Sequence, residues 1–210
     1  MKTTMIAVFV SLFLGGCYDS WADQCDGEEC GREDFPVVTC EIAVTTNAID
    51  GATVTVDGVE TGTTVELTMG SHTFAATAAG YFPVSVVAEV AEACAPVELR
   101  LLPNLNGWYD FVLHGRTYYR FMMQIRQDEA SAVFAADIWR EGTSTSEHPY
   151  QHFAGAVSYD RDVDLLSEDS SEMYLWGGWT PPRREGVARI EGAYDYFSGE
   201  GGDWVAESRP

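Results

Sequence analysis

At 210 residues the chain has room for one or two domains, and 46% apolar side chains supply enough material for packed cores, which excludes a wholly disordered chain. Acidic residues number 33 against 12 lysines and arginines, so the formal charge is −21 and the surface repels nucleic acid and anionic lipid faces. The same excess of one sign favours solubility and opposes self-association.

The chain opens with Lys2, then the apolar runs Met5–Val10 and Leu12–Leu14, and closes this stretch on Leu14-Gly15-Gly16-Cys17. It is shorter than the ~20 residues a spanning helix needs. A positive start, a short apolar run and small residues at a cut describe a secretory signal, and a cysteine directly after the small pair adds an attachment point for lipid. The segment resembles a bacterial lipoprotein signal. That resemblance implies removal of residues 1–16, lipidation of Cys17 and attachment of an otherwise soluble chain to the membrane by two or three acyl chains, which hold where one alone is marginal. Tyr18 follows Cys17, where enteric bacteria use Asp to retain lipoproteins at the inner membrane, so the expected location is the cell envelope with the outer membrane favoured.

Residues 17–36 form an acidic tether, in which Asp19, Asp23, Asp26, Glu28, Glu29, Glu33 and Asp34 face the single Arg32. Its apolar surface is too small to offset the entropy of ordering, and like charges extend it. Beyond Cys17 stand four more cysteines, Cys25, Cys30, Cys40 and Cys94, an even number that suits an oxidising compartment. Three pairings are open. The reading favours Cys25 with Cys30 around a tight loop and Cys40 with Cys94 around one coherent segment; a Cys-x4-Cys metal site lacks further ligands at useful spacing.

Residues 37–102 read as a small all-β module. Apolar residues recur at period two in Ile42 and Val44, Val54 and Val56, Val65 to Met69, Val84 to Val90 and Val97 to Leu101, with turn signals at Asp50-Gly51, Asp57-Gly58, Gly62, Met69-Gly70-Ser71 and Ala79-Gly80. Short, regularly spaced strands without helical segments suggest a β-sandwich. The run Gly51-Ala52-Thr53-Val54-Thr55-Val56-Asp57-Gly58, with Gly62-Thr63, Gly70-Ser71-His72 and Gly80-Tyr81, resembles a PEGA domain, a β-sandwich module of bacterial envelope proteins. Ile49-Asp50 stands in place of the name-giving Pro-Glu pair. The resemblance implies a structural or interaction unit without catalytic residues, in which Gly58 closes a hairpin, Gly70 turns the chain before His72 and Gly80 positions Tyr81. His72 is then a turn histidine.

Residues 103–210 carry about eight candidate strands, near 108–113, 118–127, 131–140, 151–159, 162–167, 171–178, 186–194 and 203–208. Such a series most economically closes as an up-and-down β-barrel, which leaves no exposed edge. Gly107-Trp108 at the start and Trp204 at the end resemble the opening and closing strands of small lipocalin-like or avidin-like barrels. Phe121, Met123, Ile125, Phe134, Ile138, Phe153, Val157, Leu165, Met173 and Leu175 supply bulk for a filled interior. The fold class is therefore all-β, a small sandwich followed by a barrel.

Aromatic residues concentrate in this second half, and they give the one hint of a binding surface. Tyr174, Trp176 and Trp179 are the candidate ligand-binding residues, with Trp176 to Pro182 read as a stiff loop at the barrel rim. His148 and His152 have metal spacing only on a helix, which Pro149 argues against; Asp160, Asp162 and Asp164 resemble part of a calcium loop, but Leu165 stands where Gly is needed and Ser171 where the bidentate Glu belongs. No nucleophile motif or phosphate loop occurs, so no catalytic residue, metal or cofactor is expected. The expected function is that of a membrane-anchored, non-catalytic envelope lipoprotein with a structural, protein-binding or glycan-binding role. The alternative is a lipocalin-like carrier of a small apolar ligand, with cavity volume as the discriminator.

Overall fold

The computed structural model describes residues 37–129, 131–145, 148–168, 173–182, 186–196 and 198–209. Residues 1–36 lie outside them, and with these the signal segment, Cys17, the tether and the Cys25–Cys30 pair; Ser171 of the calcium reading does as well. The described chain belongs to one compact unit, Val37–Pro210. Its regular structure is entirely β.

The first seven strands are β1 (Thr39–Thr46), β2 (Thr53–Val56), β3 (Val59–Thr61), β4 (Thr64–Thr68), β5 (Gly70–Thr77), β6 (Val84–Val90) and β7 (Val97–Leu99). They form two sheets, ordered β4-β1-β7 and β3-β2-β5-β6. Cys40, Ile42 and Val44 of the first sheet and Val54, Val56, Phe74 and Ala76 of the second are buried in one core, as their period-two spacing demands. A disulfide joins Cys40 to Cys94 across 54 positions, as expected, and ties β1 to the connection between β6 and β7. Asp57 and Gly58, at φ 50° and 80°, close β2 onto β3 in a two-residue hairpin. The expected turn at Met69-Gly70-Ser71 is instead the corner where the chain leaves one sheet for the other: β4 pairs with β1, and β5 with β2 and β6. His72 accordingly lies in strand β5, not in a turn.

Eight further strands follow: β8 (Gly107–His114), β9 (Tyr118–Gln127), β10 (Val133–Arg140), β11 (Gln151–Val157), β12 (Asp162–Ser167), β13 (Met173–Thr180), β14 (Arg189–Tyr196) and β15 (Gly201–Ser208). Each pairs antiparallel with its predecessor and successor, and β15 pairs with β8, so the sheet closes into a barrel with no free edge. Of the ten side chains expected inside, nine are buried and Phe121 is half-buried. Gly177 and Gly192 face each other across β13 and β14, and the Trp204 indole donates from Nε1 to the carbonyls of Trp176 (3.1 Å) and Ala193 (3.0 Å) beside them. A Cβ on Gly192 would stand 1.9 Å from the Trp176 oxygen. These glycines are therefore more than barrel bends: they bring the two backbones together where the Trp204 indole binds.

The two ends of the barrel differ. At the end where the chain enters, Gln127, the last inward position of β9, accepts from the Leu105 N–H (2.9 Å) and donates to the carbonyls of Pro103 (3.1 Å) and Ser131 (2.7 Å). Tyr109 donates its hydroxyl to the Leu105 carbonyl at 2.9 Å, and burial pushes its pKa upward. Tyr81 from the first module stands against Trp179, and Asn47 donates to both Leu101 O (3.0 Å) and Tyr159 O (2.8 Å). One core consequently runs from Phe74 through Leu101 and Leu105 to Leu165. The entry end is sealed by the module and its linker.

Candidate functional site

Among the described residues the opposite end is open. Its floor is made by the last inward side chains of the strands that converge there: Phe111 and Leu113 on β8, Phe121 on β9, Ile138 on β10, Met173 on β13 and Tyr196 on β14. Above them stand Tyr119, Arg120, Arg140, Glu141 and Tyr150, and the whole encloses a cup of about 500 Å³. That volume lies within the range of small-ligand sites. Below the cup Met123, Ile125, Phe153 and Leu165 are fully buried, so the barrel is a filled body with a concave mouth.

Ring contacts organise the mouth. Phe121 and Tyr150 stack at 5.9 Å and 21°, and Phe111 and Phe121 lie 6.0 Å apart. Inward positions of β10 are Phe134, Ala136, Ile138 and, by the same alternation, Arg140, whose guanidinium lies 4.5 Å from the Tyr150 ring centre. Arg120, paired with Val112 on the outer face, lies over Tyr118 at 5.3 Å and reaches the rim from outside. Burial, with nearby tyrosines and Glu200 as lesser causes, pushes the Tyr196 pKa upward, so its phenol is a neutral donor at neutral pH. Two guanidinium groups thus stand at the entrance to an apolar, ring-lined floor.

The three residues singled out from the sequence do not share a site. Trp176 to Thr180 are the second half of strand β13, not a loop; the Gly177-Gly178 pair and the prolines after Thr180 imitate turn signals. Alternation puts Trp179 inside at the sealed end, buried against Tyr81, and puts Tyr174 and Trp176 on the outer wall. There the two rings stack at 5.3 Å and 23°, and Tyr174 donates its hydroxyl to Asp164 at 2.5 Å, a bond that raises the tyrosine pKa. Leu166, opposite Tyr174 on β12, extends this exposed patch.

The histidine and aspartate constellations resolve as structural pairs. His152 lies on the outer face of β11 with its Nδ1 2.5 Å from Asp137 Oδ1, while Arg126 donates to Asp137 Oδ2 at 2.5 Å. The buried carboxylate is thereby held between the Arg126 guanidinium and the His152 ring on neighbouring strands. Asp162 binds Ser158 and Asp164 binds Tyr174, so the aspartate series is divided among separate partners. Among the described residues no group of three His, Cys, Asp or Glu side chains could hold a metal ion.

The mouth escaped sequence reasoning because its members come from six strands. The signal that could have located it is the aromatic and arginine content at the ends of β9 and β10, where inward alternation meets the hairpins. The chain was compared with known proteins at three levels, and it matches no family model, no curated protein and no solved structure.

Proposed function

We propose that the chain is a lipid-anchored envelope protein, favoured for the outer membrane, whose barrel binds a small ligand or the end of a larger one at its open mouth without transforming it. In this reading residues 1–16 are a lipoprotein signal, Cys17 carries the lipid, the first module is a PEGA-like sandwich, and the second is a lipocalin-like up-and-down barrel. The unequal ends carry the argument. One is sealed by the module and the Gln127 network; the other is a cup of about 500 Å³ lined by rings. A filled interior below the cup favours recognition at the rim over a wholly enclosed apolar cargo.

A second contact, for a glycan, is supported by the stacked Tyr174–Trp176 pair and the Asp164 carboxylate, a flat surface with a hydrogen-bonding group at its edge. Chemical-shift mapping against a panel of small amphiphiles and sugars tests both readings. Shifts at Leu113, Phe121, Ile138 and Tyr150 support the mouth; shifts confined to Tyr174 and Trp176 replace it with the wall; no shift at either sinks the binding function. Fatty-acid labelling tests the anchor: label that follows the wild type and is lost in Cys17→Ser supports it, and equal label in both refutes it.

A further inference from the structure

An excess of 33 carboxylates over 12 lysines and arginines gives every cation of this chain many candidate partners. Arg116, Arg126 and Arg209 each take one, and Arg100 and Arg189 take two. Arg120 and Arg140, both lining the cup, have no carboxylate within 4 Å among the described residues and lie on tyrosine rings. Arg161, at the sealed end, is the other described arginine with no carboxylate within 4 Å among the described residues. Among the described residues Glu141 is the one carboxylate that lines the cup, and it makes no ion pair with the inward-facing Arg140.

Building on the mouth reading, we propose that the cup is selective for a small amphipathic monocarboxylic acid: the apolar body rests on Phe121, Ile138, Leu113 and Met173, and Arg140 binds the carboxylate. A guanidinium presents a planar fork of donors that matches a carboxylate, and the Tyr150 face beneath it fixes its plane. Arg140 is exposed at the rim, so an incoming carboxylate reaches it directly, with Phe121 and Tyr150 stacked beside it. Non-specific attraction cannot produce the same preference, because the field of a chain at −21 repels anions. Glu141 and that field together disfavour a second negative charge on the ligand, which selects a monoanion.

The test uses the full chain and three probes with one apolar body: 4-phenylbutyrate, 4-phenylbutanol and 4-phenylbutylamine, measured by calorimetry and by shifts at Phe121 and Tyr150. The acid is expected to bind roughly tenfold or more tightly than the alcohol, as a charge-assisted bond implies, and the amine most weakly. Added salt should leave that order intact and strengthen the acid, since it screens the repulsive field. Arg140→Gln is expected to bring the acid down to the alcohol while leaving the alcohol unchanged, and Arg140→Lys to retain part of the preference. Equal binding of acid and alcohol to the wild type overturns the selectivity and leaves the mouth reading standing. Silence of all three probes at Phe121 and Tyr150 overturns both, and an acid preference that survives Arg140→Gln overturns the assignment of Arg140.

Discussion

The ring of Tyr81 stands edge-on to Trp179, centroids 5.0 Å apart and planes at 86°, and this contact joins the disulfide-bonded module to the barrel. Both rings are buried, and Gly80 makes their approach possible: at φ 78°, a Cβ there would fall 2.7 Å from Pro182 and 3.0 Å from the Trp179 ring. Removal of the indole therefore opens a cavity in the seam. Trp179→Ala should cost about 3–5 kcal/mol, with hydrogen-exchange protection at Phe74 and Leu165 falling together, because one core spans both parts. Protection lost at Leu165 and kept at Phe74 would show two independent units. Trp179→Phe should be milder, since Trp179 Nε1 is buried without a hydrogen-bond partner among the described residues and the phenyl ring keeps most of the apolar contact.

The glycines of the neighbouring strands β13 and β14 give a steric contrast near Trp204. Gly192→Ala places a methyl against the Trp176 backbone and should lose stability at or beyond the ~1–3 kcal/mol typical of overpacking. Gly178→Ala meets nothing within 4 Å and should stay within about 0.5 kcal/mol of the wild type. Urea denaturation of both variants checks this; similar losses would refute the close-approach account.

The Cys40–Cys94 bond closes a long loop, and the Cys40→Ala, Cys94→Ala double variant should lose ~4 kcal/mol by the chain-entropy model. Peptide mapping without reductant that found Cys40 joined to Cys25 or Cys30 would contradict the pairing. A denaturation midpoint unchanged by reductant would contradict its contribution.

His72 supplies a pH dependence whose sign is fixed by its partners. Its Nδ1 lies 2.7 Å from Asp57 Oδ2 and its Nε2 2.9 Å from Thr68 O, an arrangement that only the protonated ring satisfies in full. The Asp57 bond, then the Thr68 carbonyl, raise the histidine pKa; the Thr73 N–H, then His72, lower that of Asp57. A raised folded-state pKa contributes stability that is present below histidine's ordinary value and lost as pH rises through the raised one. The aspartate contributes in the opposite sense, losing its share as pH falls through its lowered pKa. Stability of the β2–β3 hairpin should thus fade on both sides of mildly acid pH, and His72→Gln should remove the alkaline limb. An NMR titration placing His72 at or below the ordinary histidine value would refute it.

The barrel strands were legible because inward bulk and outward polarity alternate over six to ten residues each and Gly or Asp punctuates the hairpins. Strand β3 was not, since Val59, Glu60 and Thr61 are too few to establish a period. Strand β5 was hidden because Gly70-Ser71-His72 has turn composition, and only pairing with β2 and β6 makes it a strand. Trp176-Gly177-Gly178-Trp179 misled for a related reason: its glycines answer to Trp204 and Gly192, distant in sequence. The cup likewise depends on which strand ends meet, and one chain read in order does not list its neighbours across a closed sheet.

The chain enters the barrel at its sealed end, so β8, β10, β12 and β14 all run toward the mouth, and their far ends take no part in the Gln127 network. Changes in their length and composition reshape the cup without touching the seam. The architecture thereby divides one sheet into a constant half that stores stability and a variable half on which new specificities can be tried, the arrangement by which a single scaffold diversifies.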